Sequence, residues 1–104
     1  MVFVKVRKQK ERILELDVHG HANQAPHGED LVCAGVSCIM VGALNAIDQL
    51  ANETCALSMA EGHIKIEQME ADERAQLLLA GTLIALQTME ETYSKYIKIT
   101  VQEV

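Results

Sequence analysis

The chain has 104 residues, enough for one domain that buries a core without disulfides or a structural metal. Apolar residues make up 49% of it, which excludes intrinsic disorder, and aromatic residues only 3%, so the predicted core is aliphatic. Fifteen acidic against nine basic residues give a formal net charge of −6. That balance argues against a nucleic-acid-binding surface and is compatible with a basic protein partner.

Two alternating segments at the start predict an antiparallel hairpin. Residues 2–7 place valine at every second position, and residues 14–18 alternate leucine and valine with acidic side chains. The charged residues 8–12 between them suit a turn. The first segment lacks the continuous apolar core of a signal peptide, so we expect a cytoplasmic protein.

A long apolar helix is predicted from about Leu31 to Ala51. It is apolar nearly all the way round as far as Ile47, so more than one neighbour must cover it. A sheet would cover one side and a second helix the rest, and we expect a homodimer built on this helix surface. The most apolar run, residues 31–44, is too short to span a bilayer comfortably, so no membrane association is expected.

The second half repeats this layout. Residues 54–67 alternate on both sides of Glu61-Gly62, which predicts a second hairpin with a tight turn. A second long helix is expected from about Ala71 to Tyr93, with acidic residues at its positive end, and a last strand over 97–102. The order β-β-α-β-β-α-β predicts one α+β domain over residues 1–104. It is a two-layer sandwich whose mainly antiparallel sheet, of about five strands, carries both long helices on one face.

The segment from His19 to Ser37 concentrates the residues able to do chemistry. It holds three of the four histidines, the only proline and one of the three cysteines. The loop predicted between Val18 and Asp30 is longer than the usual ~4–6 residues, which favours a functional loop. Cys33 falls in the first turn of the predicted helix, where unpaired N–H groups and the positive dipole end favour the thiolate.

His21 lies near the other end of this predicted loop, where its side chain could contact Cys33 in the folded chain. A thiol activated by an imidazole and a helix N-terminus is the minimal equipment for acyl transfer through a thioester. Cys38 and Cys55 lack such a setting and are expected in the core. The spacing of the three cysteines suggests no disulfide framework, as expected in a reducing compartment.

Four further residues are expected to support this site. Asp30 is expected to cap the helix N-terminus, with orientation of the histidine or substrate binding as alternatives. Ser37 follows the cysteine by one helical turn on the same face, where its hydroxyl faces the site or bonds back to the cysteine carbonyl. Gly20 and Gly28 flank the loop, where a positive φ or a close approach of substrate excludes a Cβ.

Two parts of the segment together resemble the signature of the ribosomal-processing cysteine protease Prp family: Gly20-His21-Ala22 and, after a variable loop, Gly28-x-Asp30-Leu31-Val32-Cys33-Ala34-x-Val36-Ser37. The resemblance implies a cysteine endopeptidase that removes the N-terminal extension of a large-subunit ribosomal protein, the one numbered twenty-seven, during ribosome maturation. It implies that Cys33 attacks the scissile carbonyl and that His21 activates the thiol. The precursor of that ribosomal protein is then the substrate partner, and no cofactor or metal is expected.

Two other functions stay open. His19, His21, His27 and Cys33 are acceptable zinc ligands, so a metal-binding protein is one alternative, although the spacing matches no standard finger. The other is a non-enzymatic ribosome-assembly factor that binds a ribosomal protein and keeps the cysteine in its core. Metal in the purified protein would favour the first, and harmless alkylation of the cysteine the second.

Overall fold

The structure is a computed structural model that describes the backbone of residues 1–20 and 27–104 and the side chains of residues 1–20 and 31–104. Its elements follow the predicted order β-β-α-β-β-α-β. They are strands β1 (Val2–Gln9) and β2 (Arg12–His19), helix α1 (His27–Leu50), strands β3 (Cys55–Ala60) and β4 (His63–Gln68), helix α2 (Glu73–Thr92) and strand β5 (Ile97–Glu103).

The five strands form one sheet in the order β3-β4-β2-β1-β5. The pairs β1–β2, β2–β4 and β3–β4 are antiparallel, whereas β5 runs parallel to β1. Helix α2 joins β4 to β5, and a parallel addition to a sheet requires such a crossover. The predicted α+β sandwich with a mainly antiparallel sheet is therefore confirmed.

Both helices cover one face of this sheet, as predicted. Alternate strand residues point to that face, and their cross-strand partners share it, as in the pairs Val4–Val18 and Leu16–Ile66. The core is aliphatic, as the composition predicts. Its buried side chains are Val2, Val4, Val6, Ile13, Leu16, Val18, Ile64, Ile66 and Ile97 of the sheet, Val32, Val36, Met40, Ala43 and Ile47 of α1, and Ala75, Leu79, Leu83 and Leu86 of α2.

Some apolar residues of the predicted buried faces are exposed. Leu57 and Met59 of β3 are 36% and 63% exposed, although they share the apolar side of their strand. Leu77 and Ile84 of α2 are 76% and 61% exposed. A helix is about 10 Å wide and strands lie about 4.8 Å apart, so two helices cover about four of five strands. The edge strand β3 is therefore left partly open.

Helix α1 begins at His27, earlier than predicted, and the segment that joins it to β2 comprises residues 20–26. Asp30 consequently lies inside the first turn, and the prediction that it caps the helix is wrong. Cys33 lies in the second turn, beyond the reach of the strongest dipole effect. The acidic residues 29–30 explain the earlier start, because negative charges in a first turn stabilise the positive end of a helix.

Within the described residues, one stretch is long and apolar enough to cross a membrane by length and composition. It is Leu31–Leu50, with a mean hydropathy of 1.8, and it extends beyond the apolar run recognised in the sequence. Core helices of soluble proteins meet the same criterion. Here Val36, Met40 and Ile47 of this stretch are buried in the core of the domain.

Candidate active site

A cavity of about 220 Å³ lies beside Cys33. Cys33, Ser37 and Val41 share one face of α1 because they are spaced four residues apart, and all three line this cavity. The other walls come from the start of β1, the end of β2 and the β3–β4 hairpin. They are formed by Val2, Val18, His19, Gly20, Met59, Ala60, Gly62, His63 and Ile64, and Val36 of α1 completes the lining. The thiol therefore borders a mostly apolar space at one end of the sheet.

The three cysteines occupy different environments. Cys33 is half-buried, Cys38 is exposed and Cys55 is buried. The prediction for Cys55 is confirmed, whereas that for Cys38 is wrong, because on an almost uniformly apolar helix the sequence does not reveal which face is covered. Burial raises the pKa of the Cys55 thiol, and a hydrogen bond from the Thr54 hydroxyl, 3.7 Å from its Sγ, opposes that rise.

Gly20 fixes the point at which the chain leaves the sheet towards His21. Its φ is +150°, a value that residues with a Cβ rarely adopt, so the predicted positive φ is confirmed. The close approach comes from the chain itself, since a Cβ at Gly20 would stand 2.6 Å from the Met1 oxygen. The Gly20 N–H also donates to the Gly62 carbonyl at 3.1 Å.

His19 and His63 face each other across β2 and β4. His19 ends β2, and its ring stacks on Phe3 with centroids 5.4 Å apart. The Nε2 atom of His63 lies 2.7 Å from Oδ1 of Asp17, a charge-assisted contact when the imidazole is protonated. Val18 faces the core, so its neighbours His19 and Asp17 belong to the open face of the sheet.

Several predicted site residues are outside the part of the chain that the structure describes. These are His21 and the side chains of His27 and Asp30. The backbone places Gly28 within α1, so the prediction that it flanks the loop outside regular structure is wrong. Among the side chains of residues 1–20 and 31–104, no three histidine, cysteine or acidic groups are placed to hold a metal ion.

Most of the apolar residues of the cavity were not singled out from the sequence, and Val41 and Met59 are two examples. Val41 follows Cys33 by eight residues, and this spacing could have placed it on the same helix face. Met59 was assigned only to the apolar side of a strand. Its place beside the cavity depends on β3 being the edge of the sheet, which follows from strand pairings between distant parts of the chain.

The family described as cysteine protease Prp matches residues 1–98 of this chain. The ribosomal processing cysteine protease Prp of Bacillus subtilis strain 168 is 37% identical over 108 residues, which cover 96% of this chain and 96% of that relative. The protein of the same description from Staphylococcus aureus strain Mu50 is 33% identical over 103 residues, covering 95% and 97%.

Solved structures agree with these matches. The S. aureus ribosomal processing protease Prp in complex with a substrate peptide has a TM-score of 0.90 and 31% identity, over 98% of this chain and 100% of that one. Its complex with a covalently linked product peptide has a TM-score of 0.87 and 32% identity, with the same coverage. SMU.848 from Streptococcus mutans has a TM-score of 0.88 and 27% identity, covering 100% and 96%. The chain therefore belongs to the family of the cysteine protease Prp and is a cysteine protease.

Proposed function

We propose that this chain is the endopeptidase that removes the N-terminal extension of large-subunit ribosomal protein twenty-seven, with Cys33 as nucleophile and His21 as base. The observation that carries this proposal is the position of Cys33. Its half-buried thiol borders an apolar cavity at the end of the sheet from which Gly20 leads the chain to His21. The cavity offers space for a peptide beside the sulfur, as an acyl-transfer site requires.

In this mechanism His21 takes the proton of the Cys33 thiol, and the thiolate attacks the scissile carbonyl carbon. The imidazolium then gives its proton to the leaving amine as the C–N bond breaks, which leaves a thioester on the cysteine. His21 next takes a proton from water, the resulting hydroxide attacks the thioester, and the returning proton restores the thiol. The products are the shortened ribosomal protein and the released extension with a carboxylate.

The relatives support this assignment. The S. aureus protease has been solved with a substrate peptide and with a covalently linked product peptide. A covalent bond to a peptide is what a nucleophilic cysteine forms during acyl transfer. The net charge of −6 supports attraction of a basic ribosomal protein.

Four residues are assigned supporting roles. Gly20 sets the direction in which the chain departs towards the base, since its φ of +150° excludes most other residues. Ser37 borders the same cavity one turn beyond the nucleophile and is placed to contact substrate. We assign Asp30 to substrate binding, one of the two roles that remain for it, beside orientation of His21, when α1 begins at His27. Gly28 lies in the first turn of α1, one turn before the nucleophile, where the absence of a side chain lets the substrate approach the helix.

The test is cleavage of a peptide that copies the N-terminal extension, with a chelator present to exclude a metal mechanism. Cys33→Ala should lower kcat/KM at least about 10³-fold because the nucleophile is gone, and Cys33→Ser should be nearly as inactive. His21→Ala should lose most activity. The exposed Cys38 gives a matched control on the same helix, and Cys38→Ala should cleave normally. Full cleavage by purified Cys33→Ala would refute the mechanism.

We also propose a cytoplasmic homodimer. The exposed Leu77 and Ile84 lie seven residues apart on one face of α2, with the exposed Gly81 between them. An apolar helix stripe with a small residue at its centre suits contact with a second copy. This stripe is a second candidate surface for the dimer, beside the surface of α1 predicted from the sequence. Sedimentation should give a dimer for the native chain and a monomer for Ile84→Glu, and a native monomer at micromolar concentration would exclude the dimer.

A further inference from the structure

We infer that the free edge of β3 binds the substrate as an added strand, with backbone hydrogen bonds to Leu57 and Met59 beside Cys33. This inference rests on the proposed role of Cys33 as nucleophile. It adds the way in which the peptide backbone is held and aligned. Four observations carry it: the position and composition of β3, the direction of its backbone groups, its continuity with the cavity, and its exposure.

Strand β3 is the first in the sheet order, so only β4 pairs with it among the described strands. Its sequence, CALSMA, contains no charged residue and no proline. Edge strands usually carry charges, proline or bulges that prevent pairing with another chain. The opposite edge, β5, does carry Lys98 and Glu103. The composition of β3 is therefore that of an edge open to pairing.

The turn between β3 and β4 defines which backbone groups of β3 face outward. Two residues connect Ala60 to His63, and these two residues are cross-strand partners. The pair that closes a two-residue hairpin exchanges both of its backbone hydrogen bonds, and such pairs recur at every second position. Ser58 is therefore bonded to β4, whereas the N–H and C=O groups of Leu57 and Met59 point away from it.

The bond from the Gly20 N–H to the Gly62 carbonyl gives the same result independently. The Gly62 carbonyl therefore points towards β2, with 3.1 Å between its oxygen and the Gly20 nitrogen. Residues of a central strand bond alternately to its two neighbours, so Ile64 also bonds towards β2. The partner of Ile64 across β3 is Met59. That pair is not hydrogen-bonded, and the backbone groups of Met59 are available to a further strand.

The open edge is continuous with the site of the nucleophile. Met59 and Ala60 of β3 line the same cavity as Cys33 and Ser37 of α1. A peptide paired with β3 would lie about 4.8 Å outside it. Its alternate side chains would point to the helix side of the sheet, as those of Leu57 and Met59 do, and would reach the cavity. The peptide bond that follows the paired segment of the substrate then lies next to the Cys33 thiol.

The exposure of this edge fits an extended peptide as its occupant. Leu57 and Met59 are 36% and 63% exposed although they lie on the apolar side of the sheet. An N-terminal extension is an unfolded segment whose own backbone groups need partners in a bound state. Strand addition supplies these partners and leaves specificity to the alternate side chains. The apolar edge and cavity together select an extended segment with apolar residues on one side.

The first test compares Met59→Pro with Met59→Ala. Both variants lose the side chain, but only proline removes the outward N–H, and no bond to β4 is lost. Met59→Pro should have a kcat/KM about tenfold below that of Met59→Ala, mainly through KM. Thermal unfolding and the rate of alkylation of Cys33 serve as controls that fold and nucleophile are intact. Equal kcat/KM of the two variants would overturn the inference.

The second test uses the native enzyme and is independent of any folding defect. Single N-methyl groups are placed at successive amides of the substrate peptide on each side of the scissile bond. We expect losses of about tenfold at alternate positions on one side, because a paired strand uses every second residue. Undiminished cleavage at all positions, or a loss without this alternation, would refute strand addition.

The two proposals fail in distinguishable ways. Cleavage by Cys33→Ala would refute the nucleophile, whatever the behaviour of β3. An inactive Cys33→Ala together with a fully active Met59→Pro would refute only the binding mode. If Met59→Pro dissociates a dimer and leaves kcat/KM unchanged, the edge belongs to a second copy of the chain and the inference is wrong.

Discussion

The backbone oxygen of Met1 lies 2.6 Å from the position that a Cβ on Gly20 would occupy. The Cα of Val2 is 3.0 Å from the same position. This backbone is held in place, because the Val2 N–H donates to the Tyr96 carbonyl at 2.8 Å. Gly20 also has a φ of +150°, which alanine rarely adopts. Gly20→Ala should therefore lower the free energy of unfolding, measured with denaturant, by about 2 kcal/mol. It should also lower cleavage, since the chain to His21 starts here.

Gly42 is a matched control for that substitution. A Cβ at this position meets nothing within 4 Å, and the residue lies inside α1. Gly42→Ala should raise stability by about 0.5–1 kcal/mol. Gly35→Ala should raise stability less, because the new Cβ would stand 2.9 Å from the flexible end of the Met89 side chain. A loss of stability in Gly42→Ala would contradict the open surroundings described for it.

The three thiols should react with iodoacetamide at different rates in the native protein at pH 7. Cys55 should be the slowest, because burial raises its pKa and blocks access. Cys38 is exposed and should react at the rate of an ordinary thiol, whereas Cys33 should be fastest if His21 activates it. Peptide mapping by mass spectrometry measures the order, with protein unfolded in urea as the control. Faster labelling of Cys38 than of Cys33 would count against activation.

The side-chain amide of Gln76 joins α2 to β2. Its Oε1 accepts from the Ile13 N–H and its Nε2 donates to the Ile13 carbonyl, both at 2.8 Å. Gln76→Ala leaves both backbone groups without these partners and should cost about 2 kcal/mol. Gln76→Glu keeps an acceptor for the N–H, but its second oxygen cannot donate to the Ile13 carbonyl or to Gln68 Oε1, so it should also be less stable than the native chain. Urea unfolding measures both, and a change below about 0.5 kcal/mol for Gln76→Ala would show that solvent replaces the amide.

Asp72 caps α2 and makes its stability depend on pH in the acid range. Hydrogen bonding from the Arg74 side chain, and then from the Ala75 N–H, lowers the pKa of Asp72 from 3.8 to about 2. Because the folded-state value is the lower one, the stabilisation is present above about pH 3.8 and is lost as the pH falls through about 2.

Melting curves of the native chain and Asp72→Asn at several pH values test this dependence. Asparagine keeps an acceptor for the cap but has no charge, so its melting temperature should be lower at pH 5. The two temperatures should converge as the pH approaches 2. Arg74→Ala is the control, because it removes the first cause of the lowered pKa. A difference that does not change with pH would show that the charge of Asp72 contributes nothing.

The fold could be predicted because apolar alternation and helical periodicity specify each element locally. The motif in the sequence names Cys33 and His21; the structure sets Cys33 beside a cavity, and the catalytic roles of the two residues stay predictions. Strand order depends on pairings between distant segments, so neither the open edge at Met59 nor its place beside the cavity could be derived. The spacing of apolar residues also did not reveal that Cys38 is exposed, because a helix that is apolar on all sides does not indicate which side its neighbours cover.

The parallel pairing of β1 with β5 has a consequence for the folding of the chain during its synthesis. Val2 pairs with Ile97 and Lys8 with Glu103, so β1 is synthesised about 90 residues before the strand that completes its ladder. Until residue 103 has left the exit tunnel, β1 lacks its outer neighbour and the parallel ladder cannot form. Contacts of such long sequence separation slow folding. The parallel ladder between β1 and β5 therefore forms only after β5 has been synthesised.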